Sequence, residues 1–246
     1  MGPSPPVTPA RTAFSAPSLI MRLATTRPRL ARWGVRAAGW EEAKVRASEL
    51  GFLPRGRDWF ERTDLYKAMI FYALCRSRRP SVAVETGVAS GTSSLGFLAA
   101  LEDNRQGRLF SVDLPEATYD RDRGGTWTDP LAGRPTGWRV PESLRGRWSL
   151  RRGPSAELLP SLLAECGPID LFYHDSEHTA KNMDFEIALA WAALRPGGIL
   201  AVDNVNWSTS FAQFLARYQP RYEYFYPFLG LAEKPGVVGV ESRTAP

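Results

Sequence analysis

Val82-Ala83-Val84-Glu85-Thr86-Gly87-Val88-Ala89-Ser90-Gly91-Thr92-Ser93 is the stretch on which the reading of this chain turns. Ser81 to Val84 is a short apolar run entering a glycine-containing turn, the pattern of a buried strand. From Thr92 to Glu102 the apolar spacing becomes helical. A strand that passes through glycine into a helix opens a βα unit. The glycine spacing is G-x-x-x-G, so the G-x-G-x-x-G dinucleotide fingerprint is absent. Glycines here let a ligand approach the backbone, and the helix start offers free N–H groups. A helix-entry turn that simply needs glycine accounts for the same pattern.

Outward from this unit, the alternation continues. Upstream, Leu65, Ala68, Met69, Tyr72 and Cys75 recur at helical spacing and predict a helix over 58–77. Downstream, Arg108 to Val112 is a second strand ending at Asp113, and Trp148 to Leu150 starts a third, followed by a helix through Glu157 to Glu165. Ile169 to Tyr173 is a fourth strand, and a long helix runs from about Thr179 to Leu194. Pro196-Gly197-Gly198 stops that helix, and Ile199 to Val202 is a fifth strand. Such alternation predicts an α/β fold, a doubly wound, mostly parallel sheet covered on both faces. Tyr222 to Leu231 and Gly236 to Glu241, joined by Glu233-Lys234-Pro235, lack an intervening helix. They are expected to close the sheet as an antiparallel hairpin, making seven strands in all.

Composition narrows the function classes. The chain has 246 residues, 43% hydrophobic and 23% charged, ordinary for a globular protein. The longest apolar runs, Ala68 to Cys75 and Ile187 to Leu194, are eight residues each. A bilayer span needs about 20, so no membrane role is expected. Cys75 and Cys166 stand alone, which argues against a disulfide framework or zinc cluster and fits a reducing, cytoplasmic setting. The net charge of +5 is localised: residues 1–40 carry six arginines and no acid, leaving the other 206 residues at −1. Residues 1–18, rich in Pro, Ser and Thr, read as a disordered arm, a flexible extension rather than a secretory signal or transit peptide. Residues 19–57 read as a helical extension whose apolar helices would serve a homodimer contact, and 58–246 as the main domain. Within it, residues 114–146 are long, Gly- and Pro-rich and only weakly periodic, and are expected to form a lid-like loop.

Acidic and histidine residues gather at strand ends. Asp113 follows the second strand, where a carboxylate can accept from both hydroxyls of a ribose; a turn residue before Pro115 is the plainer reading. Gly153-Pro154-Ser155-Ala156 follows the third strand at the same rim. His174-Asp175-Ser176-Glu177-His178 ends the fourth strand and contains both histidines of the chain, and Asp203-Asn204 ends the fifth. Adjacent parallel strands would bring Asp175, Asp203 and Asn204 together as three oxygen donors of the hard type that suits Mg²⁺. Capping and turn roles account for the same residues without a ligand. Strand alternation sets His174 apart from Asp175, as a supporting or structural residue.

The Val84-Glu85-Thr86-Gly87-x3-Gly91 turn, the Ser-Val-Asp113-Leu-Pro strand end, Leu194-Arg-Pro-Gly-Gly-Ile-Leu and the terminal hairpin together resemble the class I S-adenosylmethionine-dependent methyltransferases. Trp138-Arg-Val-Pro-x2-Leu-x2-Arg-Trp and His174-Asp-Ser-Glu-His-Thr are similar to the branch with macrolide-sugar and aminocoumarin O-methyltransferases. The resemblance covers about residues 58–241 and implies a Rossmann-like sheet. It implies that Glu85, Gly87, Gly91 and Ser93 line the methionine portion of S-adenosyl-L-methionine, with Asp175 also on the cofactor side. Asp113 would hold the ribose, and Ser155 and Ala156 would sit beside the adenine. Asp175, Asp203 and Asn204 would hold Mg²⁺. Where related enzymes such as catechol O-methyltransferase place a lysine base, this chain has His178, which would take the proton of a hydroxylated small molecule or instead bind metal or substrate.

Two other readings compete. Nucleic-acid methylation is prompted by the arginine-rich arm, but the neutral body and the absence of an Asn-Pro-Pro-Tyr type of loop after strand four argue against a nucleic-acid partner. A non-catalytic, methyltransferase-like binding protein is the other, opposed by the intact acid and histidine positions. Trp127, Trp138, Trp148 and the run Tyr222, Tyr224, Phe225, Tyr226 and Phe228 suit an acceptor pocket or the core.

Overall fold

The structure is a computed structural model that describes residues 26–52, 59–115, 131, 133–225 and 228–236. The 1–18 arm, Trp127 and Tyr226 lie outside the described residues.

Helix α1 (Ala37–Glu49) and helix α2 (Trp59–Arg78) lead into β1 (Val82–Thr86), α3 (Thr92–Asp103) and β2 (Arg108–Asp113). A 3₁₀ turn (Glu142–Arg147) precedes β3 (Trp148–Arg152), α4 (Ser155–Cys166), β4 (Ile169–His174) and α5 (Ala180–Ala193). Then come β5 (Leu194–Val202), α6 (Ser210–Tyr218), β6 (Arg221–Phe225) and β7 (Leu229–Glu233). Among the described residues seven strands form one sheet, in the order β3-β2-β1-β4-β5-β7-β6. Pairing is parallel from β3 to β5 and antiparallel for β5–β7 and β7–β6. This is the doubly wound, Rossmann-like arrangement, with the reversal of strand order between β1 and β4.

Two cores flank the sheet because every central strand is apolar on both faces. On one side, Ala83, Leu109, Leu171, Tyr173 and Ile199 pack against Trp40, Phe71 and Phe97 of α1, α2 and α3. On the other, Val84, Val112, Phe172 and Leu200 pack against Leu159, Ile187 and Phe211 of α4, α5 and α6. Phe71, Phe97 and Tyr173 form an aromatic triad with centroids 4.5 Å apart for Phe71–Phe97 and 4.4 Å for Phe71–Tyr173. Such pairs add about 0.5–1.5 kcal/mol each beyond area burial. Here they pin α2 and α3 to the strand that delivers Asp175.

The structure departs from the sequence expectation at three places. The hairpin uses 221–225 and 229–233, so the single run expected from Tyr222 to Leu231 is two strands. Pro227 inside that run cannot donate to a ladder, which is the local signal for a break. Most of the expected Gly236–Glu241 strand lies outside the described residues. Helix α6 was not expected, although Phe211, Phe214, Leu215 and Tyr218 recur at helical spacing and Phe211 and Phe214 are buried. Strand β5 starts at Leu194, before Pro196-Gly197-Gly198, and the register with β4 shifts between Ile169 and Leu171 to absorb the extra residues.

The N-terminal arginines do not all stand apart from the body. Arg32 meets Glu223 of β6 at 2.7 Å and Arg29 meets it at 3.7 Å. Arg29 also donates to the Tyr224 carbonyl at 2.6 Å, while Leu30, Trp33 and Val35 are buried beside them. Part of the localised charge therefore docks this segment onto the edge strand.

Candidate functional site

Register alone builds the site. Thr86 pairs with Val112 and with His174, and His174 pairs with Val202. The next residue on each strand therefore falls in one row across the carboxyl rim: Asp113, Gly87, Asp175, Asp203. Backbone bonds continue past the strands, from Gly87 N to Val112 O (2.9 Å), Asp175 N to Thr86 O (2.9 Å) and Asp203 N to His174 O (2.9 Å). Ligands of open parallel sheets bind at such a rim, beside the point where strand order reverses.

Gly87 and Gly91 have a packing reason. At Gly87, φ is +82°, and a Cβ would lie 2.0 Å from the Asp175 carbonyl oxygen. At Gly91, φ is +85°, and a Cβ would lie 2.8 Å from Gly137 Cα. Both demands come from the chain itself. Residues 136–140 of the expected lid lie on the turn, with Gly137 N donating to Ala89 O (2.8 Å) and Arg139 N to Ser90 O (3.0 Å). The Trp138 indole N–H is buried there with no partner among the described residues, its ring between the guanidinium groups of Arg134 and Arg139.

Glu85 is fully buried and accepts from the hydroxyls of Ser93 (3.1 Å), Ser94 and Ser111 (2.7 Å). Burial pushes its carboxyl up to about 7, against the pull of those three hydroxyls. Asp113 is 5% exposed and accepts from Ala89 N and Leu114 N, each at 2.8 Å. Ser155 opens α4, half-buried, with its hydroxyl 3.4 Å from Asn182 Oδ1, and Ala156 beside it is exposed. Neither α3 nor α4 has a side chain capping its first turn. A buried carboxylate next to two such helix starts offers hydrogen-bonding groups of both kinds to a nucleoside carrying charged groups.

His174 points to the α5 side of the sheet, fully buried, its Nδ1 2.7 Å from Glu186 Oε2. Thr86, Ser176 and Asn182 also bond Glu186, so this cluster braces the β4 loop. His178 lies between the rings of His174 (5.5 Å) and Trp207 (5.2 Å). Its Nε2 is 2.9 Å from Asn204 Nδ2 and 3.7 Å from Asp175 Oδ1, and its Nδ1 is buried without a partner among the described residues. Burial, with His174 and Lys67 adding to it, pushes the imidazole down to about 4. His178 is thus neutral at ordinary pH. Trp207, 48% exposed, is the aromatic beside it.

The acids face a group that sequence reasoning missed. Lys67 of α2 is 5% exposed, and its Nζ lies 2.6 Å from Asp203 Oδ2, 3.0 Å from Asp64 Oδ1 and 3.8 Å from Asp175 Oδ2. Burial weighs against its charge, but Asp203, Asp64 and Asp175 override it and hold the ammonium well above the ordinary lysine range. Burial would raise Asp203, yet Lys67 keeps it below the usual carboxylate range. Burial, with Asp203 and Asp64 nearby, raises Asp175, which also accepts from Tyr173 Oη at 2.8 Å. The only advance signal was compositional: lysines number four against 27 arginines. Asp175 and Asp203 do converge, while Asn204, at φ +49°, turns to His178. With an ammonium at their focus, these residues do not fit a divalent ion. Among the described residues no group of three His, Cys, Asp or Glu side chains is arranged to hold a metal.

The family model described as "Methyltransferase domain" matches residues 84–205. Solved structures share the fold, among them the following two. The O-methyltransferase TomG from Streptomyces achromogenes, involved in tomaymycin synthesis and in complex with SAM, is 16% identical with a TM-score of 0.53 over 86% of this chain and 96% of its own. A methyltransferase from Geobacter sulfurreducens is 16% identical with a TM-score of 0.50 over 82% of this chain and 90% of its own. No curated protein matches the chain in sequence. Among the described residues no helix is long and apolar enough to cross a membrane.

Proposed function

We propose that the chain is a class I, S-adenosylmethionine-dependent methyltransferase that methylates a hydroxyl oxygen of a small molecule, a reading supported by the methyltransferase-domain match over residues 84–205. The observation that supports this best is the rim row of Asp113, Gly87, Asp175 and Asp203 with a neutral imidazole next to it. S-Adenosylmethionine would supply an electrophilic methyl group on its sulfonium. Asp113 would accept from the ribose hydroxyls, with Ser155 and Ala156 flanking the adenine. Glu85, Gly87, Gly91, Ser93 and Asp175 would bound the methionine end.

His178 would take the acceptor's proton. A ring that is neutral above pH about 4 is always ready to accept. Its low basicity means that the imidazolium must be stabilised as it forms, and Asp203 and Glu186 are the groups that favour its charge. Asn204 Nδ2 donates to Nε2, so the neutral ring keeps its proton on the buried Nδ1 and its lone pair on Nε2, the nitrogen that would take the acceptor's proton as the Asn204 bond gives way. The exposed Trp207 indole beside it suits a flat or sugar-like acceptor. No step in this scheme passes through a metal.

A thermal-shift titration with S-adenosylhomocysteine, followed by transfer of labelled methyl to a panel of hydroxylated metabolites, tests the reading. Ligand at 100 times its Kd should add about 2.7 kcal/mol of stability. Asp113→Ala should weaken that effect. A wild-type protein that S-adenosylhomocysteine does not stabilise, and that methylates nothing, would sink the proposal.

A further inference from the structure

The carboxylate cluster at the ends of β4 and β5 already contains a cation. We propose that the Lys67 ammonium is the resident cation of the Asp203–Asp175 cluster, standing where a divalent ion would stand, so that this rim carries its positive charge covalently and binds no metal there. The assignment rests on the proposed methyl-transfer reading only for the use of that charge; the geometry carries the rest.

Lys67 Nζ is within 3.0 Å of two carboxylates and 3.8 Å from a third. Mg²⁺ needs oxygen ligands at about 2.0–2.1 Å in a near-octahedral shell. An ammonium 2.6 Å from Asp203 Oδ2 occupies that space and repels a second cation. The lysine has little room to leave. Tyr66 and Ala68 on either side of it are buried, and α2 is held by the Phe71–Phe97–Tyr173 triad. Asp64, one turn earlier on the same helix and 53% exposed in its side chain, closes the solvent side.

Residue type agrees. A chain with 27 arginines and four lysines places a lysine here. Its charge is a compact point with three donors, the closer mimic of a metal ion than a flat guanidinium fork. Lys67 also lies outside the matched stretch, 84–205, so the device belongs to the helix that precedes it. It would act as a positioning residue: it fixes Asp203 as an anion and supplies a permanent positive charge near the acceptor oxygen. Proton removal is left to the neutral His178.

The test is Mn²⁺ binding, read by the loss of the free-ion electron paramagnetic resonance signal after EDTA treatment and dialysis. The wild type should leave the signal unchanged, and Mg²⁺ should not raise its melting temperature. Lys67→Met, which keeps the stem volume and removes the charge, should bind one Mn²⁺ through Asp203 and Asp175, with water completing the shell, and be stabilised by it. The Lys67→Met/Asp203→Asn double variant should lose that binding. Wild-type binding of one Mn²⁺ that Asp203→Asn abolishes would overturn the proposal, as would a folded Lys67→Met protein that takes up none. If Lys67→Met does not fold, the wild-type and Asp203→Asn titrations decide alone. The S-adenosylhomocysteine shift, run on the same wild-type sample, reports separately on the methyl-transfer reading.

Discussion

Replacing Glu85 by Gln should make the protein more stable above neutrality. Glu85 sits fully buried at the end of β1 with three serine hydroxyls as its donors. Burial raises its carboxyl from the ordinary 4.5 to about 7. Below pH 4.5 it is protonated in both folded and unfolded chains, and its burial carries no charge penalty. Between 4.5 and 7 the folded chain keeps a proton that the unfolded chain has lost, so this group makes stability fall as pH rises. Above 7 the full penalty persists. At about 1.4 kcal/mol per pH unit, the interval between the two values is worth about 3 kcal/mol. Gln stays neutral at every pH, and serine hydroxyls rotate to serve as donor or acceptor, so the substitution leaves the pocket satisfiable. The assay is urea unfolding of both proteins from pH 5 to 8.5. The advantage of Glu85→Gln should grow from about 1 kcal/mol at pH 5 to about 3 kcal/mol at pH 8.5. A difference that stays flat with pH, or a variant less stable throughout, would refute the reasoning.

Two further outcomes are expected. Gly87→Ala combines a left-handed φ of +82° with a Cβ 2.0 Å from the Asp175 carbonyl; the two should cost about 2–5 kcal/mol in urea unfolding, and a loss under 1 kcal/mol would mean that the close approach of the Asp175 backbone does not fix this turn. The chain has two histidines, so His178 can be followed by nuclear magnetic resonance and assigned through His178→Gln. Its ring should stay neutral from pH 8 to pH 5 and charge only near 4, because burial disfavours the imidazolium; a midpoint near 6.5 would contradict the buried placement.

Much of the fold was legible because its instructions are local. Each central strand is a short apolar run, and each is followed by the residue that ends up on the rim: Asp113, Gly87, Asp175 and Asp203. Parallel pairing of neighbouring strands then brings Asp175 and Asp203 together without further information. Boundaries failed where a local rule was overridden or overlooked, as at Pro227 in the hairpin and at the Pro-Gly-Gly bulge taken up into β5. Helix α6 is legible in the sequence through Phe211, Phe214, Leu215 and Tyr218 at helical spacing.

The sequence by itself determined the alternation of elements and which acids meet at the carboxyl rim, because side-chain period and strand length are properties of contiguous residues. Tertiary structure alone decided what those acids meet. Lys67 is 136 positions from Asp203 and lies in a helix with no local mark of function, and only the packing of α2 over β4 and β5 brings its ammonium to 2.6 Å. The same holds for His178, whose lowered basicity comes from burial against His174 and Trp207, and for Gly87, whose missing side chain makes room for the backbone of β4. Burial and contact between distant segments set charge, and no spacing rule along one chain contains them.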